Sequence, residues 1–378
     1  MTVFVGIEGI GMRRSLALAA DDSGRILATV PKPWGMSLHT TPRDELRSRL
    51  MELLRELSRQ LGGGLEALAD AVVCLGITGV TFPYDAHVDL PGEFQQVSVP
   101  VRALICTGDA EIVFASHAQD TAGGVIICHM GSTAYCAVRG QHFRFGGWGP
   151  ALGDEGSGFW IGRASLRAIG EEHDTQRPPS ILWEEVSKWL TDPGDDLEAW
   201  SEASLLWRRQ LEDTERHKHD LRTAVLAFTH DISKASGWLW RVVASGMTIP
   251  VMRAWDRNDS AAATIVATAI TELCRQFRMV LRVAGLQRPP GVVVLYGGVL
   301  TYNPRFRDAL VTRLREEYGP RLPFAYPGDT GTMCPVCGAL LFAIGGSTTG
   351  ALRLPRRSVI DRLREEVARY NGNGFQND

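Results

Sequence analysis

Val3-Phe-Val-Gly-Ile-Glu-Gly-Ile-Gly-Met-Arg-Arg-Ser-Leu-Ala-Leu-Ala-Ala-Asp-Asp-Ser-Gly24 is the stretch of this 378-residue chain whose punctuation decides the fold. Val3 to Ile7 is a short apolar run, and Gly9-Ile10-Gly11 is a turn. Ser15 to Ala20 is a second apolar run, Asp21-Asp-Ser-Gly24 a hairpin signal, and the residues after Gly24 a third extended segment. Three strands on tight turns make a β-meander, not a βαβ unit. The pattern restarts at Gly123-Gly124, with strands at 125–128 and 134–138 and a turn at Arg139-Gly140. A strand pattern that occurs twice points to a duplicated architecture. The expectation is two α/β domains, each built on a five-stranded mixed sheet with helices on its faces.

Between and after these blocks the periodicity changes. Leu46, Leu50, Leu53, Leu54 and Leu57 recur at helical spacing, so 43–61 reads as a helix. Strands are expected at 71–77, 101–106 and 291–296, each closing on glycine or a turn. Asp109 to Ser116 reads as the start of a helix, 260–285 as the clearest long helix, and 359–370 as an amphipathic one. The expected division is residues 1–115 as a first domain, joined by the C-terminal helix, and 116–350 as a second domain with a helical insertion. The hinge is expected near 108–124, and the polar tail 371–378 is expected to lack fixed structure.

Composition excludes several classes. Hydrophobic residues are 44% and charged residues 22%, as in an ordinary globular chain, and the formal net charge of -3 offers no basic field to nucleic acid. Arg353, Arg356 and Arg357 cluster, as a solvated helix edge does. No apolar run reaches the ~18 residues of a membrane span, and the N-terminus lacks the basic and apolar regions of a signal peptide. The seven cysteines lie mostly in apolar runs, which suits reduced, buried thiols in the cytoplasm. Cys334-Pro-Val-Cys337 is one C-x-x-C pair without a second, too few ligands for a structural zinc site.

The strongest chemical signal is Gly146-Gly-Trp-Gly-Pro-Ala-Leu-Gly-Asp-Glu-Gly-Ser-Gly-Phe-Trp-Ile-Gly162, with seven glycines among seventeen residues around Asp154 and Glu155. Glycines let a backbone approach a ligand, and the carboxylates can hold hydroxyl groups. A structural loop with a capping Asp has the same composition, and the residues alone leave both readings open.

This segment resembles the N-acetylglucosamine kinase family, a group that includes the BadF/BadG-type ATPases within the sugar-kinase/actin/Hsp70 superfamily. The resemblance is collinear from residue 3 to about 345. Gly108-Asp109-Ala110 stands where the family has Asn-Asp-Ala, and Gly131-Ser132 stands in its second phosphate loop. Tyr296-Gly-Gly-Val299 matches its adenosine-binding turn, and Pro335-Val-Cys-Gly-Ala339 its last core helix. The resemblance implies two actin-like (ribonuclease-H-like) domains around a cleft. It implies an ATP-dependent kinase acting on a hydroxyl of a small sugar, amino sugar or cyclitol. Asp109 would be the catalytic base. Gly147, Trp148 and Asp154 would contact substrate. Gly9, Gly11, Arg13, Gly131, Ser132, Gly297 and Gly298 would contact nucleotide and phosphate, and Glu8 would meet Mg²⁺. A homodimer is also implied.

The chain departs from the family in both phosphate loops. Glu8-Gly-Ile-Gly-Met-Arg-Arg14 replaces Asp-Gly-Gly-Gly-Thr-Lys-Thr, and His129-Met130 replaces a Gly-Thr pair. Bulky Ile10, Met12 and Met130 stand where backbone amides cradle phosphates, while Arg13 or Arg14 restores positive charge. The loop Trp34 to Thr41 lacks the Asn expected for substrate contact. Two readings therefore stand: an active kinase, or a catalytically impaired relative that binds sugar or nucleotide as a sensor or partner. An activator ATPase with a bridging iron-sulfur cluster is a third, for which no convincing cysteine set is seen.

Overall fold

In the computed structural model, which describes residues 2–10, 14–38, 41–80, 101–120, 122–191, 245–329, 332–346 and 353–371, the meander and its repeat each grow into a five-stranded sheet. The first contains β1 (Phe4–Gly9), β2 (Ser15–Ala20), β3 (Ile26–Lys32), β4 (Val72–Ile77) and β5 (Ala103–Gly108). The second contains β6 (Gly123–Cys128), β7 (Ser132–Val138), β8 (Gln141–Gly146), β9 (Val292–Tyr296) and β10 (Phe324–Ala325). The order β3-β2-β1-β4-β5 in one is matched by β8-β7-β6-β9-β10 in the other. In both, the meander pairs are antiparallel and the two later strands add in parallel. The expected duplicated, mixed five-stranded architecture is therefore present. The two-residue β10 had no signal in the sequence, being too short for a period.

The helices are α1 (Arg43–Gln60), α2 (Asp109–Ala118), α3 (Gly158–Asp174), α4 (Ile181–Thr191), α5 (Thr248–Asp256), α6 (Ser260–Val283), α7 (Gly298–Tyr302), α8 (Pro304–Tyr318), α9 (Pro335–Gly345) and α10 (Arg357–Asn371). Residues 192–244, within the expected helical insertion, and 372–378 of the expected tail lie outside the described residues. Alternation along β1 sends Val5 and Ile7 to one face, where the leucines of α1 cover them. Phe4 faces the other way, with Leu16, Leu18 and Cys74, against α9 and α10. The second sheet buries Ile126 and Cys128 against α6 and its neighbours, and Val125 and Ile127 against α2.

Two helices fill the space between the sheets. Residues 110–117 of α2 and 335–343 of α9 are all buried. A helix apolar on every side has no solvent face, and these two have packing partners all round. Ile112 and Ala115 of α2 pack with α9 and the first sheet, while Ala110, Val113 and Phe114 pack on the second. Glycine makes the approach possible. A Cβ at Gly6 would lie 2.5 Å from the Leu340 backbone nitrogen, and one at Gly338 would overlap the Ile112 carbonyl oxygen. Gly338→Ala should therefore cost about 1–3 kcal/mol or more. Gly170→Ala, in a helix interior with nothing within 4 Å, should gain about 0.5–1 kcal/mol. Thermal melting of both variants checks the pair; equal shifts would contradict the packing described.

Candidate functional site

The parallel strands β1, β4 and β5 end on one rim of the first sheet, and β6 and β9 end on the facing rim of the second. In open sheets of this kind ligands meet the carboxyl ends of strands. Glu8 lies at the end of β1, Asp109 is the first residue of α2 directly after β5, and Tyr296 ends β9. Glu8, Asp109 and Arg14 all lie close enough to the Tyr296 hydroxyl to act on its ionisation, which burial, Glu8 and Asp109 push far up. Charges at the ends of β1 and β5 and before β2, with the Cys334 thiol, thus act on one buried hydroxyl at the end of β9. Among the described residues the Asp109 side chain accepts only from the amide of Ala110, at 2.9 Å. One oxygen of Asp109 thus takes a first-turn amide, and no bond to the other is present among the described residues.

Glu8 is tied differently. Its Oε2 accepts the Val336 amide at 3.0 Å, closing the open end of α9, whose residue Cys334 supplies no side-chain cap. Burial raises the Glu8 carboxyl to about 7, against the lowering pull of Arg14 and Val336. Glu111, buried one turn into α2, also reaches about 7, chiefly by burial and with Asp109 adding repulsion. Its carboxylate accepts from the Gly108 amide, so this glutamate, three residues after the N-cap, performs the capping that Asp109 does not.

The glycine-rich segment follows β8. Trp148 is 76% exposed and Leu152 beside it is also exposed, so neither anchors the loop. Asp154 is the reverse: 2% exposed, in the left-handed conformation at φ 60°, with Oδ1 accepting the Ser132 amide at 3.3 Å. The Ser132 hydroxyl donates to the Glu155 carbonyl at 2.8 Å. Arg144, on β8, donates to the Gly147 carbonyl and to Thr133 Oγ1, and its charge acts on Glu111. Arg144 thereby ties the loop to β7 and places its charge within reach of Glu111.

The hairpin 129–132 is internally engaged. The His129 amide donates to the Gly131 carbonyl, the Met130 amide to His129 Nδ1, and the Ser132 amide to Asp154. An anion would compete with these bonds, which a Gly-Thr pair would not form through a ring. Gly297 has φ 112° and a Cβ there would lie 2.7 Å from the Cys128 carbonyl carbon, so only glycine fits. Gly298 is open: its nearest atoms would be Tyr302 at 3.7 Å and His129 Nε2 at 3.9 Å. Gly9 is required by Met36, which packs 2.8 Å from where its Cβ would be. Gly11 and Arg13 lie outside the described residues.

The structure thus gathers Glu8 and Asp109 around Tyr296, and Ser132, Asp154 and the Gly146–Gly147 turn around the second hairpin. Sequence reasoning missed Glu111 and Arg144 altogether. Glu111 follows Gly108 at capping-box spacing, a signal that was available; Arg144 and the tertiary partners carried none. The seven cysteines are all buried and free, and Cys334 Sγ lies 3.5 Å from Cys337 Sγ. Among the described residues no three metal-ligating side chains cluster.

A carboxyl raised from 4.5 to about 7 binds more protons folded than unfolded between those values. Its favourable contribution is full below about 4.5 and is lost as pH rises through about 7. The melting difference between wild type and Glu111→Gln should therefore shift in favour of the variant from pH 5.5 to pH 8 by a few degrees. A flat difference across that range would show that Glu111 does not hold its proton.

The profile of the BadF/BadG/BcrA/BcrD ATPase family matches residues 9–343. An N-acetylmuramic acid/N-acetylglucosamine kinase of Clostridium acetobutylicum is 25% identical over 307 residues, 79% of this chain and 86% of that protein. An N-acetyl-D-glucosamine kinase of Dictyostelium discoideum is 29% identical over 216 residues, 53% of this chain and 64% of that one. A solved candidate N-acetylglucosamine kinase of Chromobacterium violaceum shares the fold with a TM-score of 0.61 at 17% identity, covering 90% of this chain and 98% of its own. With the profile spanning both sheets and the helices between them, this chain belongs to the BadF/BadG/BcrA/BcrD ATPase family.

Proposed function

We propose that the protein is an ATP-dependent kinase that phosphorylates a hydroxyl of a small sugar, with N-acetylated amino sugars the first acceptors to test. The observation that carries this reading is the placement of Asp109. Beyond one bond to the Ala110 amide its carboxylate has no partner among the described residues, and with Glu8 and Arg14 it lies within electrostatic reach of Tyr296, between two sheets of repeated topology. The relatives named above as kinases of N-acetylglucosamine direct the choice of acceptor.

Phosphoryl transfer asks for alignment and charge neutralisation more than for covalent help. Asp109 accepts the proton of the attacking hydroxyl as that oxygen bonds to the γ-phosphorus and the bridge to ADP breaks. Arg14, with Arg13 before it, supplies positive charge on the phosphate side. Gly298 leaves room for the nucleoside, and Gly297 permits the turn that presents it. Gly147 and Trp148 form the acceptor side, Trp148 offering an open aromatic face, and buried Asp154 fixes the loop behind them through the Ser132 amide. Mg²⁺ bound with the nucleotide would supply neutralisation of phosphate charge, with Glu8 the residue placed to meet it. The donor set suits an ion held mainly by phosphate oxygens and water, because Glu8 is one carboxylate with one oxygen already bonded. Glu8 must first lose its proton, which its raised value makes a step of neutral pH. The proposal includes two domains moving about residues 108–124, a homodimer and a cytoplasmic setting.

Asp109→Asn keeps size and the contact to Ala110 but cannot take a proton. It should lower kcat by roughly 10²–10⁴-fold with little change in affinity. Calorimetry with ATP·Mg²⁺ and a panel of hexoses, hexosamines and cyclitols, followed by turnover on whichever binds, provides the comparison. The engaged amides of His129, Met130 and Ser132 favour weak phosphate capture as the second reading. Binding of a sugar without any turnover would establish that reading, and full activity of Asp109→Asn would move the base elsewhere.

A further inference from the structure

Helix α6 is the bed on which the glycine-rich segment lies. A Cβ at Gly156 would meet the Ala269 carbonyl at 2.6 Å and Leu273 at 3.0 Å, and one at Gly146 would meet Gln276 Oε1 at 2.5 Å. Positions 269, 273 and 276 run along one face at helical spacing. The buried face of α6 is otherwise apolar apart from Cys274, yet it carries one amide, Gln276, which is 1% exposed. Burying a primary amide costs free energy that an apolar residue of similar volume would not incur.

What the amide does is specific. Both Nε2 hydrogens are used: one bond of 3.0 Å to Ser132 Oγ and one of 2.7 Å to the Glu155 carbonyl. Ser132 Oγ itself donates to the Glu155 carbonyl, closing a triangle of three bonds. The Ser132 amide then continues to Asp154 Oδ1. Gln276 therefore holds the hairpin 129–132 and the segment 146–156 at a fixed offset. No group among the described residues donates to its Oε1, so that atom contributes no bond that a hydrocarbon would lose.

We propose that Gln276 is a positioning residue that sets the register between the phosphate-side hairpin and the sugar-side loop, so that one side chain fixes the affinity of both substrates. The inference rests on the kinase reading above for the identity of those substrates. A residue serving only stability would lower the melting temperature and leave binding alone. A residue touching one loop would alter one substrate. Gln276 touches both, and its loss should be felt by both together.

The experiment compares wild type with Gln276→Leu and Ser132→Ala, the second removing the shared hydroxyl without disturbing α6. In each variant the KM for ATP and the KM for the sugar should rise together, each by about tenfold, the scale of one buried hydrogen-bond network. Dissociation constants for a nonhydrolysable ATP analogue and for N-acetylglucosamine, measured separately by calorimetry, should weaken in parallel. Both variants retaining wild-type constants, or a change confined to one substrate, overturns the inference while leaving the kinase reading in place. Wild type that turns over no sugar but binds both ligands removes the kinase reading and leaves the calorimetric arm to decide this one. Wild type that binds neither ligand overturns both.

Discussion

Everything at the candidate site depends on two buried helices lying against each other between the sheets. Gly338 brings α9 against the Ile112 carbonyl of α2, Gly6 brings β1 against α9, and Gly76 leaves room for the Ile112 side chain. Each contact is possible only because a side chain is missing. The result is that the first residue of α2 and the end of β1 are both held within electrostatic reach of Tyr296. A looser pair of helices would separate these carboxylates without unfolding either sheet.

The same compression explains the electrostatics. Glu8 and Glu111 cap the two buried helices from positions where water is excluded, and both carboxyls rise to about 7 as a consequence. Asp109, half-buried, bonds only the amide next to it among the described residues. The fold therefore divides the carboxyls: buried glutamates close the helix ends, and the aspartate stands less buried at the start of α2. On the opposite rim the division is repeated. Asp154, Ser132 and Gln276 form the buried frame, while Trp148 and Gly298 face outward.

Much of the fold was legible because its signals are local. Alternation and glycine punctuation gave β1, β2, β6 and β7, and the leucine period gave α1, all within a few residues of their observed ends. The repetition at 124 was enough to expect two matching sheets. The site was legible in its backbone and not in its partners. Gly297 and Asp109 stand at strand ends that the pattern marks. Gln276 meets Ser132 across 144 residues of chain, and Glu8 meets Val336 across 328, so no spacing rule could join them. One trace of Gln276 was visible: a polar residue three places after Leu273 and four before Val280 occupies the apolar stripe of the long helix. Such an exception asks for a partner without naming it. The commitment of Ser132's hydroxyl and of the 129–132 amides was likewise invisible, because the aligned motif describes a loop open to phosphate.

The central claim is that the cleft passes the terminal phosphoryl group of ATP to a sugar hydroxyl, not to water. The most direct measurement is the fate of the label from [γ-³²P]ATP incubated with wild-type protein, Mg²⁺ and N-acetylglucosamine. The account predicts that label appears in a sugar phosphate and that its appearance requires the sugar. Label found only as inorganic phosphate, at a rate indifferent to every sugar supplied, would contradict it.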